Sequence, residues 1–285
     1  MKRIILINRH FILTLLLAVL WSFTSVGQKG VVATSEKKSF KDDKVSKSKM
    51  YFTANKMMMK DGSNTVIFDA EKETFTNIDH QKKEYMVITK EDLEKTLGQL
   101  DKATMMMEEK MKNLSPAQQE MMRKNMPGFV SQPKEEPKVE FVKEQSGITV
   151  KNWTVDKYEH FVDGDKVNNY FIANYDQLDV TKNDFVVMEK MAKFFQKYMS
   201  NFSSMNAQSS FQSSALGLGE DSPVFNKGIP IKTVSFKNGE RQEQNLIQTL
   251  EKKNIDPSKF EPPSNYKMTS LTEQIQGSKF GIGKR

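Results

Sequence analysis

The sequence predicts an α+β protein with a largely antiparallel β-sheet, and three features of the chain indicate this class. Short β-prone runs are joined by polar connections of about five residues, whereas parallel pairing would need a crossover of about a dozen or more. Stretches with helical periodicity follow each group of strands, so strands and helices occur in two rounds. The chain has 285 residues, of which 37% are hydrophobic, which is enough to bury a sizeable core.

The N-terminus has the three parts of an export signal. A basic region with three Lys or Arg residues and no acidic residue precedes an apolar run, Phe11–Trp21. Small residues then stand where a signal peptidase cuts, which predicts cleavage between Gly27 and Gln28. The apolar run of about eleven residues is well short of the roughly 20 that span a bilayer, so an uncut anchor is the less favoured alternative. We expect residues 1–27 to be a signal peptide, and the remainder to be periplasmic or secreted without a transmembrane segment.

Composition excludes several classes of site. Cysteine is absent, so disulfides, thiolate metal sites and cysteine nucleophiles are excluded. The chain has three histidines, too few for a multi-histidine metal centre. Removal of residues 1–27 takes away three basic residues and no acidic ones, which lowers the formal charge from +7 to +4. Mixed charge of this size, with no Lys/Arg block interleaved with aromatic residues, predicts no nucleic-acid partner.

The first half of the exported chain begins with strands. Two short β-prone runs are separated by a Lys/Ser/Asp stretch, and three stronger runs follow the turn pair Asp61-Gly62. The predicted strands are Val31–Ser35, Met50–Thr53, Thr65–Asp69, Phe75–Ile78 and Tyr85–Ile88. The short polar connections between the last three predict an antiparallel meander.

Two helices rich in methionine follow these strands. The segment from Thr89 to Asp92 has the form of a helix start, and Leu93 begins an apolar stripe with helical period. The other members of this stripe are Leu97, Leu100, Met107 and Met111. Ser115-Pro116 starts a second helix, which Pro127-Gly128 ends, and a linker rich in proline and charge follows at 131–138.

The second half repeats the order of strands and then helix. The predicted strands are Val139–Lys143, Trp153–Val162 and Val167–Ala173. Thr181 caps a long helix with an apolar face. The residues of that face are Met188, Met191, Ala192, Phe195, Tyr198, Met199 and Phe202.

Two tight turns and one loop complete the second half. Asp163-Gly164 connects two strands, and Asn238-Gly239 is the strongest hairpin signal of the chain. It predicts pairing between Ile229–Phe236 and Glu240–Leu250. A loop rich in Ser, Gln and Gly covers Ser203–Ser222.

Several of these segments resemble the LolA/LolB-like superfamily of exported carriers. Lys49–Ile88 is similar to the opening sheet of these proteins, and Trp153–Phe185 to their middle hairpin and following helix. Phe260–Tyr266 is similar to their closing element of the type Phe-x-x-Pro-x-x-Tyr. Within the superfamily, the chain looks most like an uncharacterised family of exported bacterial proteins known as a domain of unknown function.

The resemblance implies an architecture and a domain organisation. The sheet is expected to be a curved, open β-barrel or half-barrel with helices packed on its concave face. One domain of this kind is expected over 49–270, with a methionine-rich helical insertion at 90–130 and the serine-rich loop at 203–222. An N-terminal strand and polar segment, 28–48, precede it, and a flexible basic tail, 271–285, follows.

Methionine is the residue that stands out. The chain has 18, and seven lie between Met105 and Met126. Met107 and Met111 continue the Leu93 stripe, but Met105 and Met106 lie roughly 120° and 140° from it, which predicts an additional apolar contact surface. Thioethers are flexible and polarizable and suit exchangeable apolar partners. The expected ligand-binding residues are Met105, Met106, Met107, Met111, Met122, Phe68, Phe75, Tyr85 and Val87.

Other chemistry is weakly supported. Thioethers also bind Cu(I), but no cysteine or histidine accompanies this cluster, so copper is a minor alternative. His80 and His160 are interpreted as solvated or hydrogen-bonded histidines. We find no nucleophile–base pair and no metal set, and therefore expect no cofactor, no metal and no enzymatic activity, with a hydrolase as a lesser alternative.

The sequence favours two functional hypotheses over the others. The first is an exported binding protein that holds an apolar or lipid-like ligand in a half-barrel cavity closed by the methionine-rich helices. The second is a protein-interaction module of the cell envelope that has no ligand cavity. A filled interior between sheet and helices would favour the second.

Overall fold

The computed structural model describes residues 27–125, 138–198 and 222–270. Within these ranges, twelve strands form one sheet. The strands are β1 (Gln28–Ser39), β2 (Val45–Phe52), β3 (Lys56–Asp61), β4 (Asn64–Asp69), β5 (Thr74–Asp79), β6 (Glu84–Thr89), β7 (Val139–Val150), β8 (Trp153–Val162), β9 (Asp165–Asn174), β10 (Gly228–Lys237), β11 (Glu240–Ile255) and β12 (Lys267–Thr269). The helices are α1 (Lys90–Lys112), α2 (Pro116–Asn125) and α3 (Val186–Tyr198).

Two antiparallel meanders join in the middle of the sheet. The strand order is β12-β6-β5-β4-β3-β2-β1-β11-β10-β9-β8-β7. Strands β1–β6 form one meander and β7–β11 the other, and they meet where β1 pairs with β11. Only the short β12 runs parallel to its neighbour, β6, in the described part of the chain. The predicted α+β class with a large antiparallel sheet is therefore confirmed, and β12 and β7 are the two edges of an open sheet.

Local turn chemistry sets the register of the predicted hairpins. Asn238 and Gly239 have φ of 53° and 79°, and Asp163 and Gly164 have φ of 54° and 85°. Two successive residues with positive φ make the turn whose twist matches that of paired strands. The hairpins β10–β11 and β8–β9 predicted at these pairs are confirmed.

One central strand was not predicted from the sequence. Lys56–Asp61 forms β3, which pairs with β2 on one side and with β4 on the other. Its sequence, KMMMKD, contains no β-branched or aromatic residue, so intrinsic propensity does not favour a strand. Pairing on both sides, with Met58 buried opposite Ile67, determines the conformation instead.

Helix α3 covers the middle of one face of the sheet, which we call the helix face. Thr181 and Asp184 form a capping box, and the turn they begin is 3₁₀ up to Phe185, where α3 takes over. Burial of five α3 side chains against the sheet anchors the helix. They are Val187, Met188, Met191, Phe194 and Tyr198. Met199 and Phe202 of the predicted helix lie outside the described residues.

The opposite face of the sheet carries two smaller apolar clusters. The first lies on β1–β5 and β11 and is covered by the segment Pro257–Phe260, whose Phe260 is buried with Met58 and Ile67. The second lies on β8 and β9 and includes Tyr158 and Tyr170. Residues of the predicted closing element, Phe260 and Tyr266, thus contact this face and not the helix face.

A search of the described residues finds no helix that is both long and apolar enough to cross a membrane. Helix α1 has 23 residues, but its mixture of Lys, Glu and Asp with methionine gives it a polar side along its length.

Candidate functional site

The exposed methionines lie on two consecutive helices that we call the methionine hairpin (α1 and α2, residues 90–125). The predicted capping box begins α1: the Thr89 hydroxyl accepts from the Asp92 N–H at 3.1 Å, and the Asp92 carboxylate accepts from the Thr89 N–H at 3.0 Å. These bonds satisfy backbone donors that the first turn would leave without partners. Leu93, one residue further, is buried in the same cluster as Phe68 and Phe194. The start of α1 is therefore fixed to the core.

The end of α1 is fixed to α2. The Nε2 of Gln119 donates to the carbonyls of Met111 and Leu114, at 3.0 and 3.1 Å. Ser115 and Gln118 form a second capping pair, in which Gln118 Oε1 accepts from the Ser115 N–H at 3.0 Å. Met111 is 6% exposed. The Gln119 side chain on α2 thus bonds to two carbonyls at the end of α1 and in the connection that follows it.

The methionines of the hairpin divide into buried and exposed groups. Met105, Met106 and Met121 are 68%, 61% and 62% exposed, whereas Met107 is half-buried and Met111 is buried. The side chain of Met122 lies outside the described residues. Large apolar side chains that remain exposed on a helix are typical of a contact surface.

The other four predicted ligand residues do not lie together. Phe68 and Phe75 are neighbours on the helix face, with ring centroids 4.8 Å apart. Tyr85 lies opposite Ile78 and Val87 opposite Thr76, whereas Phe75 lies opposite Ile88. Because side chains alternate between faces along a strand, Tyr85 and Val87 project from the face opposite to Phe68 and Phe75.

Phe68 and Phe75 are occupied by contacts with helix α3. The Phe194 ring lies 5.7 Å from the Phe68 centroid and 5.3 Å from the Phe75 centroid, and 4.8 Å from that of Tyr198. Phe185 similarly contacts Phe52, at 5.1 Å between centroids. At these rings the space between the sheet and α3 is filled by aromatic side chains.

The two described histidines both have structural partners. His80 bonds through Nε2 to the Thr65 hydroxyl at 2.9 Å and through Nδ1 to the Tyr266 hydroxyl at 3.1 Å. His160 is fully buried and stacks on Phe141, with centroids 4.5 Å apart. Burial lowers the pKa of His160 to about 4, so this ring is neutral at physiological pH. Within the described ranges, no group of three or more His, Asp and Glu side chains is placed to hold a metal ion.

Sequence reasoning missed two features of the structure. Met121 is as exposed as Met105, but the methionine pattern of α2 alone does not indicate which side faces α1. A cleft lined by lysines on β2 and β3 also had no sequence signal, because its residues are brought together by strand register.

Comparisons with known proteins assign no family. No protein-family model matches the chain, and no curated protein matches it. Among solved structures, PNGF-II in the C2 space group is similar with a TM-score of 0.37 and 8% identity, and PNGF-II in the P21 space group with 0.35 and 8%. Each match covers 87% of this chain and 32% of the PNGF-II chain. The chain thus spans about a third of the length of these proteins, and similarity at this level supports no conclusion about function.

Proposed function

We propose that this chain is an interaction protein of the cell envelope, and that the methionine hairpin docks onto an apolar surface of a partner protein. The observation that carries the proposal is the exposure of Met105, Met106 and Met121 on two helices that are tied to each other and to the core. A contact surface on a fixed support needs little ordering when it binds, which lowers the entropic cost of association.

The energetics of this surface fit a moderate, adaptable contact. Full burial of a methionine side chain contributes roughly 1.5–3 kcal/mol, so covering three that are about two-thirds exposed contributes on the order of 3–6 kcal/mol before the costs of association. Thioether chains can adjust their torsions to a partner's shape. Charged neighbours such as Lys102 and Glu109 are exposed on the same helix and would form the polar rim of such a contact.

The alternative is a carrier for an apolar, lipid-like ligand, as the LolA/LolB resemblance suggests. In that proposal the sheet is a half-barrel and the hairpin closes its concave face. One observation favours it: Leu93 shares a buried cluster with Phe68 and Phe194, so displacement of α1 would expose this aromatic region. The contacts of Phe194 with Phe68 and Phe75 count against it, because a ligand there must replace them.

Site-specific photo-crosslinking in the native host tests the two proposals. A photoreactive residue at position 106 should crosslink to one protein, and the double substitution Met105→Glu and Met121→Glu should reduce the yield about tenfold or more, since two charges would be buried in the contact. Lys95→Glu is the matched control, because it changes the net charge by the same amount as the two methionine substitutions, at an exposed position of α1 outside the proposed contact.

The outcomes separate the classes of partner. A crosslinked protein whose yield is lost in the methionine variant and kept in the lysine variant supports the interaction module. Crosslinked lipid, together with saturable binding of a fluorescent fatty acid, supports the carrier. Equal yields from both variants contradict a role for the exposed thioethers.

A further inference from the structure

A cleft lies on the sheet where β1, β2, β3 and β11 run side by side, away from the methionine hairpin. Its volume is about 640 Å³, and all of its lining residues except one glycine have polar or charged side chains. The charged lining residues are Glu36, Lys47, Lys49 and Lys60, and the uncharged ones are Thr34, Ser35, Ser48, Gly62 and Gln248. Three of the four charged groups are cations, so the cleft has an excess of positive charge.

Strand register brings the three lysines to one face of the sheet. Lys49 on β2 lies directly opposite Lys60 on β3, and Lys47 is two residues before Lys49 on the same face. Glu36 and Thr34 lie opposite Lys47 and Lys49, respectively, on β1. Side chains directly opposite each other have Cβ atoms about 5 Å apart, and like charges in that position destabilise the pair.

No carboxylate compensates these cations by direct contact. In the described part of the chain, none of the three lysines makes an ion pair within 4 Å, and this includes the pair of cross-strand neighbours Glu36 and Lys47. Other lysines near this face do have carboxylate partners: Lys56 lies 3.1 Å from Asp69, and Lys38 3.1 Å from Asp43. Within the described residues, the three cleft lysines thus carry charge that no contacting carboxylate offsets.

Hydrogen-bond donors accompany the cations. The hydroxyl of Thr34, on the same face as the lysines, lies 2.7 Å from that of its cross-strand neighbour Thr249 on β11. One hydrogen is used between the two oxygens, so the pair retains one O–H that can donate to another acceptor. Lys49 Nζ lies 5.3 Å from the centroid of the Tyr51 ring, and this contact restrains the lysine side chain beside the cleft.

We propose that this cleft binds a phosphoryl group of the phosphate monoester class, which carries about two negative charges at neutral pH. Such a group would accept hydrogen bonds from the ammonium groups and the hydroxyls, and it would offset the repulsion between Lys49 and Lys60. Lysine binds such groups as a point charge, with no need for the planar geometry of arginine. Except for one glycine, the cleft is lined by strand residues, whereas the methionine hairpin consists of two helices. This proposal therefore does not depend on the proposed partner contact.

Isothermal titration with inorganic pyrophosphate at low ionic strength tests this site in the full exported chain. We expect saturable binding that weakens as salt is added. The double substitution Lys49→Gln and Lys60→Gln should weaken it on the order of tenfold for each ammonium–oxyanion hydrogen bond lost. Glu36→Gln should strengthen it, because it removes the one carboxylate of the lining.

A matched control excludes an effect of net charge alone. Lys72 and Lys83 are exposed lysines outside the cleft, and Lys72→Gln with Lys83→Gln removes the same charge. The proposal is overturned if pyrophosphate does not bind at millimolar concentration, or if the two double variants bind it equally well. Sedimentation with vesicles containing phosphatidic acid, and titration with a sugar phosphate, would identify the source of the group: binding of either that is lost in the Lys49/Lys60 variant supports the site.

Discussion

Phe194→Ala should destabilise the protein strongly, because Phe194 is one of the five α3 side chains buried against the sheet and packs among three other rings. The side chain is 5% exposed and contacts three other rings, those of Phe68, Phe75 and Tyr198, at centroid distances between 4.8 and 5.7 Å. Truncation removes the buried ring and leaves a cavity that the sheet cannot close. We expect a loss of about 3–5 kcal/mol in the free energy of unfolding.

Urea denaturation measures this loss directly. The transition midpoint should fall while the slope of free energy against urea stays the same, since the native and unfolded states bury similar surface in both proteins. Met105→Ala is the control: its side chain is 68% exposed, so the change should lie within about 0.5 kcal/mol.

The result that would refute this reasoning is a Phe194→Ala protein that unfolds at the same urea concentration as Met105→Ala. That outcome would mean that α3 does not fill the space above Phe68 and Phe75. It would also remove the structural argument against an apolar ligand in that space.

Two further predictions concern pH and the C-terminal strand. Burial lowers the pKa of His160 from 6.5 to about 4, so the folded state favours the neutral ring. Its contribution to stability is full above pH 6.5 and is lost as the pH falls from 6.5 to about 4, by about 3 kcal/mol. In thermal melts, the melting temperature of His160→Gln should therefore change much less with pH across this range than that of the unsubstituted protein. Tyr266→Phe removes the 3.1 Å bond between the Tyr266 hydroxyl and His80; we expect a loss of about 0.5–1.5 kcal/mol and faster amide exchange in β12, and unchanged exchange there would contradict a role for this bond.

Features that depend on neighbouring residues were predictable from the sequence. Asn238-Gly239 gave the β10–β11 hairpin because positive φ at both turn residues is a local requirement. The start of α1 was predictable because the two residues that cap it, Thr89 and Asp92, are only three positions apart in the sequence. The antiparallel direction of the strands followed from short connections, which parallel pairing excludes.

Features that depend on distant segments were not predictable. The strand Lys56–Asp61 has a sequence that does not favour a strand, and it exists because β2 and β4 supply partners on both sides. Phe75 and Tyr85 are both expected in the ligand site from the sequence, but the register of β5 with β6 places them on opposite faces. Exposure of Met121 depends on how α2 is bonded to the end of α1.

The sequence by itself determined the local conformations of this protein: where its tight turns lie, where its helices begin and that its strands run antiparallel. The tertiary structure decided which residues meet. Lys49 and Lys60 are eleven residues apart in the chain and belong to different strands, and only the pairing of β2 with β3 places their charges opposite each other. The physical reason is that side-chain direction is a local property of each strand, whereas proximity depends on register, which the whole sheet sets together.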